Sequence, residues 1–216
     1  MRAGDIGYRR LVSTHEEPTG SSLSELDLRV RALESVLIQQ NYVTSEALDA
    51  IVEAHETRIG PHIGARAVAR AWVSATYREA LLADATAAVA EFADDGHVGD
   101  QLIAVENTRD VHNVVVCTLC SCYPWDVLGL PPIWYKSDAY RSRTVKQPRT
   151  VLAEFGLHLE PTVSVRVWDS TAETRYLVLP MRPAGTDDWD ERQLATLVDR
   201  DCMVGVGLPK APGGAD

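Results

Sequence analysis

The chain has 216 residues, 45% of them apolar and 24% charged, which suits one sizeable core in a globular protein. A formal charge of −10 leaves no basic face for phosphate and argues against a nucleic-acid partner, and no apolar run is long enough to span a membrane. The start, MRAGDIGYRRLVSTHEEPTG, has no apolar run behind its arginines and is read as neither signal nor transit peptide, so a cytoplasmic, thiol-reducing setting is expected.

In chain order, residues 1–21 are polar and read as a loosely held arm. Ser22 and Glu25 have capping-box spacing, and Leu26, Val30, Leu33 and Leu37 repeat at helical intervals. SEALDAIVEAHE (45–56) is a second predicted helix, with Thr44 as its cap. The alanine-rich run after Gly60-Pro61 is helical as far as Phe92, with an interruption expected near Ser74. LIAVEN (102–107) and HNVVVC (112–117) are β-rich runs separated by a turn. VSVRVWD (163–169) and RYLVLP (175–180) read as a strand pair linked by STAET. PPIWYKSDAYRSRTV and RTVLAEFG predict a short helix and a second one; DERQLATLVDRDC predicts one more, with MVGVG closing as a strand. The expected fold class is α+β: a flexible N-terminus and helical arm over 1–93, then a compact, layered α/β body over 94–216 with a metal claw at a strand end.

Three of the four cysteines, Cys117, Cys120 and Cys122, fall inside six residues, CTLCSC. A Cys120–Cys122 disulfide would close a very small strained ring, and a Cys117–Cys120 pair leaves an odd thiol. A structural zinc site needs a fourth ligand, with His112 and Cys202 as candidates, but the chain has one C-x-x-C arm where such sites usually have two. A redox C-x-x-C is a further reading. Cys-Ser-Cys offers another geometry, in which both thiolates and the amide nitrogens of Ser121 and Cys122 form a square around one metal. Cys117 would cap the square from below and leave one position open. Amide nitrogen binds only after losing its proton, which asks for a strongly Lewis-acidic ion such as trivalent cobalt or iron.

CTLCSC, with VHNVVV before it and YPW-VLGLPP-WYKS after it, resembles the nitrile hydratase α-subunit family, a group shared with the thiocyanate hydrolase γ-subunit. RVRALESVL, GARAVARAWV, VENT, YRSR and VRVWDS-AE-RYLVLP extend the likeness from about Leu23 to Lys210. The resemblance implies a cobalt-type hydro-lyase that adds water to an organic nitrile to give the amide. Its metal ligands would be Cys117, Cys120, Ser121 and Cys122, with Cys120 as sulfinate and Cys122 as sulfenate. Thr118 between the first two cysteines points to one Co(III) per chain in preference to iron, since iron members typically have serine there. The nucleophile is left open between a metal-bound water and the Cys122 sulfenate, so Ser121, Cys122 and Trp125 are the candidate catalytic residues. The resemblance also implies a β-type partner subunit, in one chain or split over two, in an αβ or doubled αβ assembly. Two arginines of that partner would contact the oxidised sulfurs, and a cobalt-delivery activator protein is a further expected partner.

Trp125 as a bare tryptophan favours the core, but the resemblance puts it at the substrate pocket. Asp169 and Arg175 read as a surface ion pair, or by resemblance as the hydrogen-bonded shell behind the site. Trp134 and Tyr135 read as packing residues, His112 as structural, and Cys202 as a buried small hydrophobe. Two positions depart from the family pattern. Asp126 stands where many relatives have proline, and H-V-G-D (97–100) puts Val98 where they have a glutamine. Thiocyanate hydrolase has an arginine at the position of Trp125, suited to its anionic substrate, whereas an aromatic wall suits a neutral nitrile. A non-catalytic zinc-binding scaffold subunit is the alternative from a different class.

Overall fold

The computed structural model describes residues 25–57, 60–93, 96, 99, 101–120 and 122–213. The arm over 1–21, the Ser22 cap, Val98 and Ser121 lie outside the described residues. Helices α1 (Glu25–Gln39) and α2 (Ser45–Thr57) come first, and Thr44 Oγ1 caps α2 by accepting from Ala47 N at 3.1 Å. Leu28, Val30, Leu33 and Val36 of α1 are all exposed.

Among the described residues, burial begins at Gly60. Helix α3 (Pro61–Val73) opens with proline in its first turn, where the missing N–H costs nothing. It ends at Ser74, whose extended backbone closes α3 and whose hydroxyl accepts from Tyr77 N to start α4 (Ala75–Ala83). Asp84 repeats the device ahead of α5 (Ala85–Ala90). The interruption expected near Ser74 is therefore present, with a second one following it. Val68, Leu81 and Val89 from these helices share one core with strand residues Val114, Leu177 and Leu179. Helices α3 to α5 are thus packed into the same core as the strands.

Strands β1 (Gln101–Glu106), β2 (Val111–Val116), β3 (Ser164–Asp169) and β4 (Thr174–Leu179) form two parallel ladders, β1–β4 and β2–β3. The expected pairing of β3 with β4 through STAET is not what forms. Ser170 N instead donates to Val116 O, carrying β3 along β2, and a turn at Thr171 redirects the chain to β1. A parallel pair needs a long crossover. Here it is the run of helices α6 (Trp125–Leu128), α7 (Ile133–Lys136), α8 (Asp138–Lys146) and α9 (Pro148–Glu154) between β2 and β3. Buried Asn113 joins the ladders, its Nδ2 donating to Glu106 O, while its Oδ1 accepts from Trp168 Nε1 within the β2–β3 pair.

The C-terminal segment departs from expectation twice. DERQLATLVDRDC splits into α10 (Glu191–Ala195), opened by an Asp190–Gln193 capping box, and α11 (Arg200–Val204), capped by Asp199. MVGVG is the end of α11 and its stop, not a strand. Gly205 sits at φ 90, and a Cβ there would lie 2.0 Å from Asn113 O, so only glycine allows α11 to close onto β2.

Candidate metal centre

Cys117 follows the last residue of β2 directly, and the chain then turns through the other two cysteines. The three sulfurs lie within 4.8 Å of one another, with Cys117 and Cys120 at 3.8 Å and Cys120 and Cys122 at 2.9 Å. All are free thiols; Cys117 and Cys122 are buried and Cys120 is exposed. Burial pushes the Cys117 thiol up, but the backbone N–H groups of Cys120, Cys122 and Leu119 outweigh it and bring it to about 7. Cys122 is pushed up to about 12 by burial first, then by the Cys120 and Cys117 sulfurs, with the charge of Arg175 acting the other way. One thiolate is therefore easily formed, and its neighbour resists ionising beside it. A cation among the sulfurs removes that conflict, and three converging thiolates suit a transition metal that prefers sulfur. The donor set fits a metal.

The loop is held from two directions, by β3 and by the crossover helices. Parallel pairing of β2 with β3 sets Asp169 beside Val116, at the edge where the cysteines begin. Its carboxylate accepts from Thr118 N at 2.9 Å and Thr118 Oγ1 at 2.6 Å. From the crossover, Tyr140 Oη donates to Val115 O at 2.7 Å and Tyr135 Oη to Cys122 O at 2.9 Å. Burial raises both phenols, so they remain donors. Arg141, next to Tyr140 on α8, donates to the carbonyls of Cys117, Thr118 and Leu119. Arg175 aligns with Leu102 in the β1–β4 ladder and donates to Thr171 O.

Trp125 opens α6 just after the cysteines and is 46% exposed, so it is not a core residue. Leu119 and Ile133, at 83% and 82%, add exposed apolar side chains from the cysteine loop and α7. Gly60 and Gly129 bring the start of α3 against the turn after α6, where a Cβ on Gly60 would lie 2.4 Å from Gly129 Cα. Gly60 N donates to Asp126 O at 3.3 Å, and Asp126 Oδ2 accepts from Gly99 N at 3.0 Å. The departure at Asp126 thus ties the segment before β1 to the turn carrying Trp125.

His112 and Cys202 do not join the sulfurs. His112 Nε2 donates to Gly205 O at 2.7 Å while Nδ1 accepts from Asn107 Nδ2 at 3.3 Å, a tautomer assigned because the carbonyl can only accept. Cys202 is on the buried face of α11, and burial holds its thiol well above the usual range. Sequence reading missed Arg141 and the bonding role of Tyr135 and Tyr140. Their only local signal is a tyrosine–arginine pair on the helix that follows the cysteines.

The family described as nitrile hydratase, alpha chain, matches residues 24–207. The chain belongs to the nitrile hydratase alpha-chain family. Membership makes it an enzyme chain of the hydro-lyase class. It is 51% identical over 194 residues to the low-molecular-weight cobalt-containing nitrile hydratase subunit alpha of Rhodococcus rhodochrous, covering 90% of this chain and 94% of that one. The thiocyanate hydrolase subunit gamma of Thiobacillus thioparus is 39% identical over 207 residues, covering 91% and 84%. Among solved structures, a double mutant of the Fe-type nitrile hydratase from Comamonas testosteroni Ni1 matches with a TM-score of 0.79 at 40% identity, covering 91% and 96%. No helix among the described residues is long and apolar enough to cross a membrane.

Proposed function

We propose that this nitrile hydratase alpha-family chain is the α-subunit of a cobalt enzyme that adds water to an organic nitrile, RC≡N + H2O giving RC(=O)NH2. The observation that carries the reading is the convergence of three cysteine sulfurs in a chain half-identical to a cobalt-containing α-subunit. Cys117, Cys120 and Cys122, with the main-chain nitrogens of Ser121 and Cys122, would hold one Co(III), Thr118 favouring it over iron. Bound there, the ion supplies the Lewis acidity that polarises the nitrile.

The chain's own residues supply the rest. Oxidised to sulfinate and sulfenate, the exposed Cys120 and the buried Cys122 would carry acceptor oxygens. The Cys122 oxygen is able to attack the nitrile carbon or to take the proton of an attacking water. Asp169, and the positive charge of Arg175 toward Cys122, orient and compensate the sulfurs. Trp125 offers a neutral aromatic wall, which favours an organic nitrile over the thiocyanate anion taken by the related hydrolase.

A partner completes the site. Oxidised cysteines need cationic donors, and no basic residue follows Cys122 before Lys136. The exposed apolar residues of α1 and the exposed Leu119 and Ile133 support coverage by a β-type subunit, in one chain or two, in an αβ or doubled assembly. The arm that wraps it would then be α1 and α2. The deciding experiment is metal analysis with mass spectrometry of the purified complex. About one cobalt per chain is expected, with added oxygen on Cys120 and Cys122 and none on Cys117; zinc with three plain thiols would sink the reading. Expressing the chain alone and then adding the partner tests the shared site, since full activity of the isolated chain contradicts it.

A further inference from the structure

Three consecutive peptide units run from Cys117 to Cys120, and in each trans unit the C=O and N–H point in opposite directions. All three carbonyl ends and the amide ends of the first and third units are taken. Arg141 Nε donates to Cys117 O at 3.1 Å, while its Nη2 donates to Thr118 O at 2.9 Å and to Leu119 O at 2.6 Å. At the opposite ends, Thr118 N donates to Asp169 Oδ1, and Cys120 N donates to Cys117 Sγ at 3.2 Å. One guanidinium therefore sets the carbonyl ends of units whose amide ends reach the Asp169 carboxylate and the Cys117 sulfur. Its charge also polarises those units and strengthens their N–H groups as donors toward sulfur.

Arg141 is itself well placed for this. Tyr140 pins α8 to β2 through Val115 O, which delivers the next side chain to the loop. The Asp138 carboxylate is 3.6 Å from Arg141 Nη1 but fully exposed, so that ion pair contributes little. A planar fork of five donors spans several carbonyls at once, which a lysine ammonium does poorly.

We propose that Arg141 is the positioning residue of the metal loop, gripping three successive carbonyls so that the loop's amides and sulfurs are aimed before any metal binds. It touches neither metal nor substrate, and it acts through the loop. The inference rests on the metal-centre reading above, and the experiment separates the two. On the full chain, Arg141→Gln and Arg141→Lys are compared with the parent by hydrogen exchange of the metal-free loop, by cobalt titration, and by the sulfur-to-metal charge-transfer absorption of the loaded protein.

In Arg141→Gln, exchange at Leu119 and Cys120 should quicken, cobalt affinity should fall about tenfold or more, and the absorption of the loaded fraction should shift. Arg141→Lys should fall between, and Asp138→Asn should match the parent. Unchanged cobalt affinity and absorption in Arg141→Gln overturn the proposal, whether or not exchange quickens. If Arg141→Gln does not fold, Arg141→Lys decides on the same readouts. If the parent takes up no cobalt, the metal-centre reading fails, and loop exchange alone then decides the role of Arg141.

Discussion

Removing the Asp169 carboxylate is the sharpest perturbation of the loop outside the cysteines. In Asp169→Ala, Thr118 loses two acceptors at once, one for its N–H at 2.9 Å and one for its hydroxyl at 2.6 Å. Hydrogen bonds to a charged group contribute about 1.5–3 kcal/mol each, and because this edge is exposed, water replaces part of each bond and the low end applies. The loop is thus loosened by about 3 kcal/mol at most. Thr118 and Asp169 are themselves exposed and outside the core cluster that Cys117 and Cys122 join, so the loss falls on local order and global stability changes little. Cobalt affinity should drop about tenfold to a hundredfold, with the urea midpoint of the metal-free chain nearly unchanged. Asp169→Asn keeps one acceptor for Thr118 N and should recover much of the loss. Thr118→Ser keeps the hydroxyl bond to Asp169, whereas Thr118→Val should lose about 1.5 kcal/mol of loop stabilisation. Cobalt titration of these variants, with a double-mutant cycle on Asp169→Ala and Thr118→Val, measures the coupling. Parent-like cobalt affinity in Asp169→Ala would refute the reasoning.

Cys117→Ala, Cys120→Ala and Cys122→Ala should each abolish cobalt binding and hydration, while Cys202→Ala keeps both and costs about 1–2 kcal/mol of stability; activity surviving in any of the first three contradicts the site. His112 stays neutral in the folded chain because burial depresses its pKa, the Gly205 carbonyl opposing only in part. The unfolded chain takes up that proton near pH 6.5, so this contribution is complete above that value and is lost as pH falls toward the lower folded pKa. Urea midpoints at pH 7.5 and 5.5 should therefore differ by less in His112→Gln than in the parent, and an equal acid loss in both would assign the effect elsewhere. Gly60→Ala meets Gly129 backbone at 2.4 Å from a backbone already at φ 95, and should cost about 3 kcal/mol or more by thermal unfolding; a change within experimental error would mean that the α3 contact with the turn after α6 is looser than described.

What was legible in the sequence was local. Thr44 as a cap and Ser74 as a break both act within three residues, and both are found as read. The cysteine spacing was legible for the same reason, since C-x-x-C-x-C confines its sulfurs however the remainder folds. Strand partners were not, because an alternating pattern such as VSVRVWD buries one face equally well beside β2 or β4. MVGVG misled by its alternation, although Asp199 and Gly205 bracket a short helix by cap and stop. Asp169 was reached through family likeness and Arg141 not at all. Each bonds the loop from a remote point in the chain, 51 residues from Thr118 in one case and 24 from Cys117 in the other, which no window of local pattern spans.

The corrected strand pairing also accounts for why one stretch of chain builds so much of the centre. Had β3 returned as a hairpin with β4, Asp169 would end beside Arg175 and away from the cysteines. With β3 parallel to β2, both strands finish at the same edge, and Asp169 falls beside Val116 where the loop begins. A parallel pair obliges the chain to cross over before β3 can start. That crossover carries Trp125, Tyr135, Tyr140 and Arg141: Tyr135 and Arg141 bond the loop, Tyr140 bonds the end of β2 just before it, and Trp125 stands exposed beside it. Residues 111–169 thus contain the sulfurs, the anion that holds one side of the loop and the cation that holds the other. The topology leaves the open side of the loop, with Leu119 and the exposed Cys120, facing outward, and that is where a partner's cationic donors would have to arrive.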